Sequence, residues 1–237
     1  NAFKPDFCYN LHGQRTIFSA GKTNHPATVS FLAPAQDAQC TITTNRKRAM
    51  ELIAAMNATL QLVIPNQVGV YDDAFNLNCV GDTFQSFNIP TILFEAGHYP
   101  NDYARDTTRK YMYMALLESL DYIALNSLEG VNYQSYFDIP QNDKCFYDII
   151  IRKASIHSEK NDSYGDIGIL YQEILKEGVI HFIPKVEKIG DLGSFFGHKE
   201  IHAQGQQVLN VENKHLEVDS ENVVVMLNNE KISLLLK

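Results

Sequence analysis

The stretch Pro90-Thr-Ile-Leu-Phe-Glu-Ala-Gly97 predicts a short buried β-strand that ends at a carboxylate, Glu95. Proline opens the run, apolar or β-branched residues follow, and the glycine breaks it. A second apolar run, residues 7–11, ends in the same way at His12, which Gly13 follows. Because ligands in open α/β sheets bind outside the carboxyl ends of strands, Glu95 and His12 are candidates for functional side chains.

The two side chains suit different chemistry. A carboxylate at the end of a buried strand is partly removed from water, which favours a raised pKa and suits a general base. A histidine at such an edge suits metal ligation. The alternative for each is a capping role, in which the side chain bonds to a nearby backbone amide. The residue pattern leaves both interpretations open.

The surrounding sequence predicts an α/β layer architecture for residues 1–140, because strand-like and helix-like runs alternate there. The predicted helices cover residues 46–60 and 102–127, the second capped by Asn101 or Asp102. The predicted strands are residues 7–11, 28–32 and 90–95.

After Pro140 the pattern changes to short β-rich runs separated by Gly, Asn and Asp, which is typical of an antiparallel β-domain. We place the domain boundary in the polar stretch 141–143, so that a β-rich domain covers residues 142–237. Residues 171–176 are the one candidate for a helical turn in this part. The predicted strands are residues 146–151, 167–170, 179–183, 208–211 and 223–227.

Composition excludes several classes of protein. The chain has 237 residues, of which 45% are hydrophobic, with 12 Tyr and 13 Phe, so it can build a sizeable core. No apolar run approaches the ~20 residues of a membrane span. With 20 basic and 28 acidic residues the net charge is −8, which argues against nucleic acid as a partner. The four cysteines form no CxxC pair, so we expect free core thiols. The compartment stays unknown, with the cytoplasm slightly favoured.

Two segments resemble the zinc carboxypeptidases and their deacylase relatives, succinylglutamate desuccinylase and aspartoacylase. They are Tyr9-Asn-Leu-His12 and Thr91-Ile-Leu-Phe-Glu-Ala-Gly97. The resemblance implies that His12 is the third zinc ligand and that Glu95 is the general base that activates zinc-bound water. It further implies that residues 1–140 are the C-terminal part of a mixed-sheet peptidase-like domain, followed by a small β-rich accessory domain.

Longer segments are similar to a bacterial branch of peptidase-like proteins, and this resemblance extends over most of the chain. Asn78-Cys-Val-Gly-Asp82 stands where the family has a glycine-containing loop, and Tyr71 stands near its mobile substrate-contacting tyrosine. The longer segments are Asn10-Leu-His-Gly-Gln-Arg15, Phe94-Glu-Ala-Gly-His-Tyr-Pro-Asn-Asp102, residues 182–192 and Gly197-His-Lys-Glu-Ile201.

One departure limits the resemblance. The family's first two zinc ligands come from a His-x-x-Glu motif, and none of the eight histidines here has Glu three residues later. Only 11 residues precede His12, and the first residue is Asn1 rather than Met. We therefore expect the missing ligands on an upstream segment; the alternative is that the protein has lost them. Catalytic zinc needs three protein ligands, so this chain alone is expected not to hold the ion.

Other polar residues are weaker candidates. Arg15 could bind a substrate carboxylate through its planar guanidinium, or it could pair with an acidic residue. His98 follows the candidate base and could line a substrate pocket, or it could be structural. His198 and His202 are four residues apart but do not form the HExxH motif. Arg105 and Arg109 are expected on the solvated face of a helix.

These observations predict the C-terminal portion of a zinc-dependent carboxypeptidase or N-acyl amino acid deacylase, inactive as this fragment. The substrate would be a peptide or an N-acyl amino acid. The alternative is a non-catalytic binding module on a peptidase-like scaffold, with the β-rich domain as its partner surface. The sequence does not indicate an oligomeric state.

Overall fold

The computed structural model describes residues 3–158 and 161–236. The chain divides into two compact units, Asn1–Lys144 and Cys145–Lys237. Strands predominate, and three α-helices occur among the described residues. The predicted α/β class is therefore confirmed at this level. The first unit extends beyond Pro140, because residues 142–144 pair with a strand near its beginning.

The strands of the first unit are β1 (Cys8–Gly13), β2 (Phe18–Ala20), β3 (Val29–Leu32), β4 (Val68–Val70), β5 (Thr91–Ala96) and β6 (Asn142–Lys144). A four-stranded mixed sheet forms the centre of this unit, in the order β1-β5-β3-β4. Strands β1 and β5 are parallel, β5 and β3 are antiparallel, and β3 and β4 are parallel. A separate antiparallel pair joins β2 to β6.

Helices α1 (Thr44–Gln61) and α3 (Asp106–Leu125) pack in the same hydrophobic core as the apolar side chains of this sheet. Helix α1 begins where the Thr43 hydroxyl accepts a hydrogen bond from the Arg46 amide at 3.3 Å, as an N-cap residue does. The central side chains of the core are fully buried: Phe31, Leu52, Ile53, Met56, Ile92 and Phe94.

The second predicted helix was expected to start at Asp102, and this start is wrong, because the corresponding helix, α3, begins at Asp106. Asn101 and Arg105 have φ values of 62° and 60°, and this left-handed backbone interrupts the helix before Asp106. The Asp102 carboxylate still serves the helix, since it accepts hydrogen bonds from the Thr108 amide at 2.8 Å and the Thr108 hydroxyl at 3.0 Å.

Residues 78–82, which we expected in a loop, partly belong to a short helix, α2 (Val80–Ser86). The helix has only seven residues, and its apolar side chains Val80 and Phe84 point to solvent. The inward apolar stripe by which sequence patterns identify a helix is therefore missing.

The strands of the second unit are β7 (Phe146–Ser158), β8 (Asn161–Lys176), β9 (Val179–Gly190), β10 (Phe196–His202), β11 (Val208–Leu209), β12 (Val224–Leu227) and β13 (Glu230–Ser233). They form a four-stranded sheet in the order β10-β7-β8-β9 and a three-stranded antiparallel sheet in the order β11-β12-β13.

The predicted helical turn at residues 171–176 is wrong, because these residues continue β8 and pair with β9. Glu177 and Gly178 join the two strands with φ values of 52° and 78°, as a two-residue hairpin turn requires.

The four cysteines are thiols rather than disulfide partners. The expectation that they lie in the core holds for Cys145, which is buried, but not for Cys79, which is exposed. Across residues 3–158 and 161–236, no helix combines the length and the apolar character needed to cross a membrane.

Candidate functional site

A polar row crosses the mixed sheet of the first unit. His12 on β1 is paired with Glu95 on β5, and Glu95 is paired with Ser30 on β3. Residues paired directly across strands point to the same face of a sheet. The neighbouring row of paired residues points to the other face of the sheet and consists of Leu11, Phe94, Phe31 and Val70. Phe94, Phe31 and Val70 belong to the hydrophobic core. Because side chains alternate along each strand, the sheet has one apolar face and one face that carries both His12 and Glu95.

Glu95 is half-buried, and its Oε2 atom is shielded from solvent with no hydrogen-bond partner among the described residues. Burial raises the pKa of the Glu95 carboxyl group, and the charges of His12 and Arg105 partly offset this effect. A carboxylate oxygen that is shielded from water and not hydrogen-bonded disfavours the charged form, so the group takes up a proton more readily. Glu95 therefore has the properties of a general base.

His12 is exposed, and its Nε2 atom lies 2.8 Å from the Asn10 amide oxygen. Asn10 is two residues earlier on the same strand, so both side chains share one face of the sheet. An amide oxygen only accepts hydrogen bonds, so Nε2 is the donor in this contact and Nδ1 is the ring nitrogen left for a metal ion.

A buried hydrogen-bond network continues the polar face beside Glu95. The Tyr71 hydroxyl donates to Gln14 Oε1 at 2.7 Å. Gln14 Nε2 donates to the Ala27 carbonyl at 2.6 Å, and Asn142 Nδ2 donates to Ser30 Oγ at 3.0 Å. Burial and the nearby Glu95 charge raise the pKa of Tyr71, so its hydroxyl stays protonated and can keep donating. The network fixes Tyr71 at the side of the candidate base.

Two glycines let this network approach the sheet closely. A Cβ atom on Gly97 would lie 1.9 Å from the Ala27 carbonyl oxygen and 2.3 Å from Gln14 Nε2. A Cβ atom on Gly69 would lie 2.0 Å from Asn142 Oδ1. Real contacts are never this short. Gly97 is required for packing because the obstacle there is backbone, whereas a side chain at position 69 would displace the Asn142 amide from the network.

The structure does not bring all the predicted site residues together. Arg15 is exposed in the segment between β1 and β2. His98 is buried, with 3% exposure, and its ring lies 4.7 Å from the Tyr103 ring between centroids. His12, Glu95 and Tyr71 are the predicted residues that share the polar face, whereas the His98 ring is packed inside the protein.

The side chains of the polar row do not supply the ligands of the zinc ion that the resemblance implies. Catalytic zinc needs three protein ligands and a water, and this row offers one imidazole and one carboxylate. Within the described parts of the chain, no group of three or more His, Cys, Asp or Glu residues could hold a metal ion. The described residues therefore do not fit zinc by themselves.

Four residues of the site were missed or misjudged from the sequence. Gln14 follows His12 by two residues, so strand alternation could have placed it on the same face. No sequence pattern indicates Ser30 or Asn142, because they bond to each other across 112 residues of sequence. The expectation for Arg105 is wrong: it precedes helix α3, and its guanidinium donates to the carbonyls of Ala96 and Gln14.

Comparison of the chain with protein-family models, curated proteins and solved structures finds no match. The chemistry of the polar row is therefore the basis for a functional proposal. The row combines a partly desolvated carboxylate, an exposed histidine and a partly buried hydrogen-bond network beside them.

Proposed function

We propose that this chain carries the general base and one metal-ligand position of an amide hydrolase similar to the zinc carboxypeptidases and their deacylase relatives. The first unit would be the C-terminal part of the peptidase-like domain, and the second unit a β-rich accessory domain. The substrate would be a C-terminal peptide bond or the amide bond of an N-acyl amino acid.

One observation carries this proposal: His12 and Glu95 are paired across adjacent parallel strands, and a buried Glu95 oxygen has no partner among the described residues. A capping carboxylate would be bonded to a backbone amide, and no such bond reaches the buried Oε2 atom. An unpartnered buried carboxylate oxygen is unfavourable for folding, which is typical of a functional site.

In the proposed reaction Glu95 handles the proton. Its carboxylate takes a proton from a water molecule as the water oxygen bonds to the carbonyl carbon of the amide. When the C–N bond breaks, the protonated Glu95 returns that proton to the leaving nitrogen. The raised pKa of Glu95 suits both steps, because the group must accept and then release a proton within one turnover.

The metal position is proposed for His12 alone. At least two further ligands would have to come from residues outside those described, since the described residues contain no three-ligand group. His12 is exposed and its contact with Asn10 uses Nε2 alone, so a ligand position at Nδ1 is chemically available at this edge of the sheet.

The proposal is tested on the longest natural form of the protein by measuring zinc content and hydrolysis of N-acyl amino acids and short peptides. We expect zinc near one ion per chain and at least a tenfold weaker retention in His12→Ala. His25→Ala, which changes another exposed histidine of the first unit, is the control. Equal zinc retention in His12→Ala and the wild type would remove His12 from the metal site.

A non-catalytic binding module is the second candidate, and the single-histidine donor set favours it. On this alternative the longest natural protein would hold no zinc and would hydrolyse none of these amides. The same two measurements therefore separate the two candidates.

A further inference from the structure

The guanidinium of Arg105 joins the ends of the two strands that carry His12 and Glu95. Its Nη1 atom donates to the Ala96 carbonyl at 3.3 Å, and its Nη2 atom donates to the Gln14 carbonyl at 3.1 Å. Ala96 directly follows Glu95, and Gln14 is two residues after His12. One side chain therefore holds the backbone next to both candidate functional residues.

The local sequence accommodates this contact at some cost. Arg105 has a φ of 60°, a conformation in which glycine would be less strained than any residue with a side chain. A residue needed only to start helix α3 would be served better by glycine.

Gly13 provides space for the same guanidinium. A Cβ atom on Gly13 would lie 2.9 Å from Arg105 Nη1, so any side chain at this position would displace the guanidinium. Gly13 has no left-handed backbone that would otherwise require glycine. Glycine at position 13 therefore leaves the space that the Arg105 guanidinium occupies.

The strand ends also need a stabilising contact. The Gln14 amide donates to the Ala96 carbonyl at 2.9 Å, which is the last backbone bond between the two segments, and Arg105 donates to the same carbonyl. Hydrogen bonds from a charged donor are stronger than those from a neutral one. The positive charge also partly offsets the effect of burial on the Glu95 pKa.

We propose that Arg105 is a positioning residue that clamps the carboxyl ends of β1 and β5 and so fixes His12 and Glu95 relative to each other. Its importance for turnover depends on the proposed function. The clamp itself is a property of this chain and can be measured without any hydrolysis.

The first experiment measures amide hydrogen exchange and side-chain NMR signals in the chain. In Arg105→Gly we expect exchange of the Gln14 amide to rise about tenfold, and the ring signals of His12 and the carboxyl signal of Glu95 to shift. Core amides such as Phe94 should keep their protection, because glycine suits the left-handed backbone. The control is Asn101→Gly, which also places glycine at a left-handed residue before α3. This variant should leave the exchange of the Gln14 amide and the signals of His12 and Glu95 unchanged.

A second variant perturbs the clamp from the opposite side. Gly13→Ala should displace the guanidinium and raise Gln14 exchange to a similar extent as Arg105→Gly. Because both changes remove the same contact, the double variant should show about the same increase as either single variant. Effects that multiply in the double variant would overturn the clamp, as would unchanged Gln14 exchange in Arg105→Gly.

The third measurement is kinetic and uses the longest natural form of the protein. If Arg105 positions the row, kcat should fall about 10- to 100-fold in Arg105→Gly with KM within about twofold, because misplacement affects the reaction more than binding. Arg105→Lys, which keeps the positive charge but lacks the planar fork of N–H donors, should recover part of kcat. A normal kcat in Arg105→Gly together with faster Gln14 exchange would overturn the positioning role. Absence of wild-type hydrolysis would instead refute the proposed function, and the exchange and NMR results would still decide the clamp.

Discussion

His12 and Glu95 face each other across the parallel strands β1 and β5, and both side chains lie on the polar face of the sheet. The strand positions one residue earlier, Leu11 and Phe94, lie on the opposite face. A shift of one residue in either strand would therefore separate the two functional candidates completely. The register of this strand pair is the structural basis of the proposed site.

The first prediction concerns the stability of the first unit. Burial raises the pKa of Glu95 in the folded state above its unfolded value of about 4.3. The folded state then binds more protons, so the contribution of Glu95 to stability is fully present below the unfolded pKa and is lost as pH rises through the folded pKa. Glu95→Gln should raise the melting temperature by a few degrees at pH 7 and have little effect near pH 3.5. Calorimetry at both pH values measures this, and equal melting temperatures at pH 7 would contradict it.

The second prediction concerns Tyr71. Its hydroxyl donates to Gln14 Oε1, which also accepts a longer bond of 3.3 Å from Asn142. Tyr71→Phe should lower the free energy of unfolding by about 1 kcal/mol, the typical contribution of one hydrogen bond. Urea denaturation measures the difference. Tyr113→Phe, at an exposed tyrosine of helix α3, should change nothing. Equal losses in both variants would mean that the hydroxyl of Tyr71 is not bonded in solution.

The third prediction concerns Gly97. A methyl group there would collide with the Ala27 carbonyl, which is backbone and cannot swing away. Gly97→Ala should destabilise the first unit by about 2–3 kcal/mol, as overpacking does. Gly193→Ala places a methyl group 3.2 Å from a movable aspartate oxygen and serves as the control. A Gly97→Ala protein as stable as this control would show that the network beneath Glu95 is loosely packed.

The fourth prediction concerns the second unit, where Arg152 is only 14% exposed. It donates to Asp166 at 2.9 Å, to Glu200 at 2.6 Å and to the Phe195 carbonyl at 2.7 Å. Arg152→Ala leaves two partly exposed carboxylates without their cation and should cost about 2–3 kcal/mol. Hydrogen exchange of the β7 and β8 amides measures this unit separately, and Lys231→Ala is a control at an exposed lysine.

The same arginine makes the second unit sensitive to acid. Hydrogen bonding to Arg152 lowers the pKa of Glu200 in the folded state. This contribution to stability is present above the unfolded pKa of about 4.3 and is lost as pH falls through the folded pKa. The protection of β7 amides should therefore decrease below about pH 4 in the wild type. A decrease of the same size in Arg152→Ala would exclude the ion pair as its cause.

The sequence predicted those features that depend on local pattern. The strands that end at His12 and Glu95 follow from short apolar runs with a glycine behind them, and helix α1 follows from its inward stripe. Asn142 could not be placed, because its partner Ser30 is 112 residues away in sequence. Arg105 was misjudged for a similar reason: i,i+4 spacing with Arg109 suggests one helix face, whereas its left-handed backbone depends on the fold around it.

The most direct test of the account is the rate of amide hydrolysis by Glu95→Gln in the longest natural form of the protein, under conditions in which the wild type turns over. The glutamine keeps the shape of the side chain but cannot accept the proton of water. We predict a fall in kcat of about three orders of magnitude with zinc content unchanged, while Glu129→Gln, at an exposed loop glutamate, keeps the wild-type rate. A Glu95→Gln enzyme that hydrolyses its substrate at the wild-type rate would contradict the assignment of Glu95 as the general base.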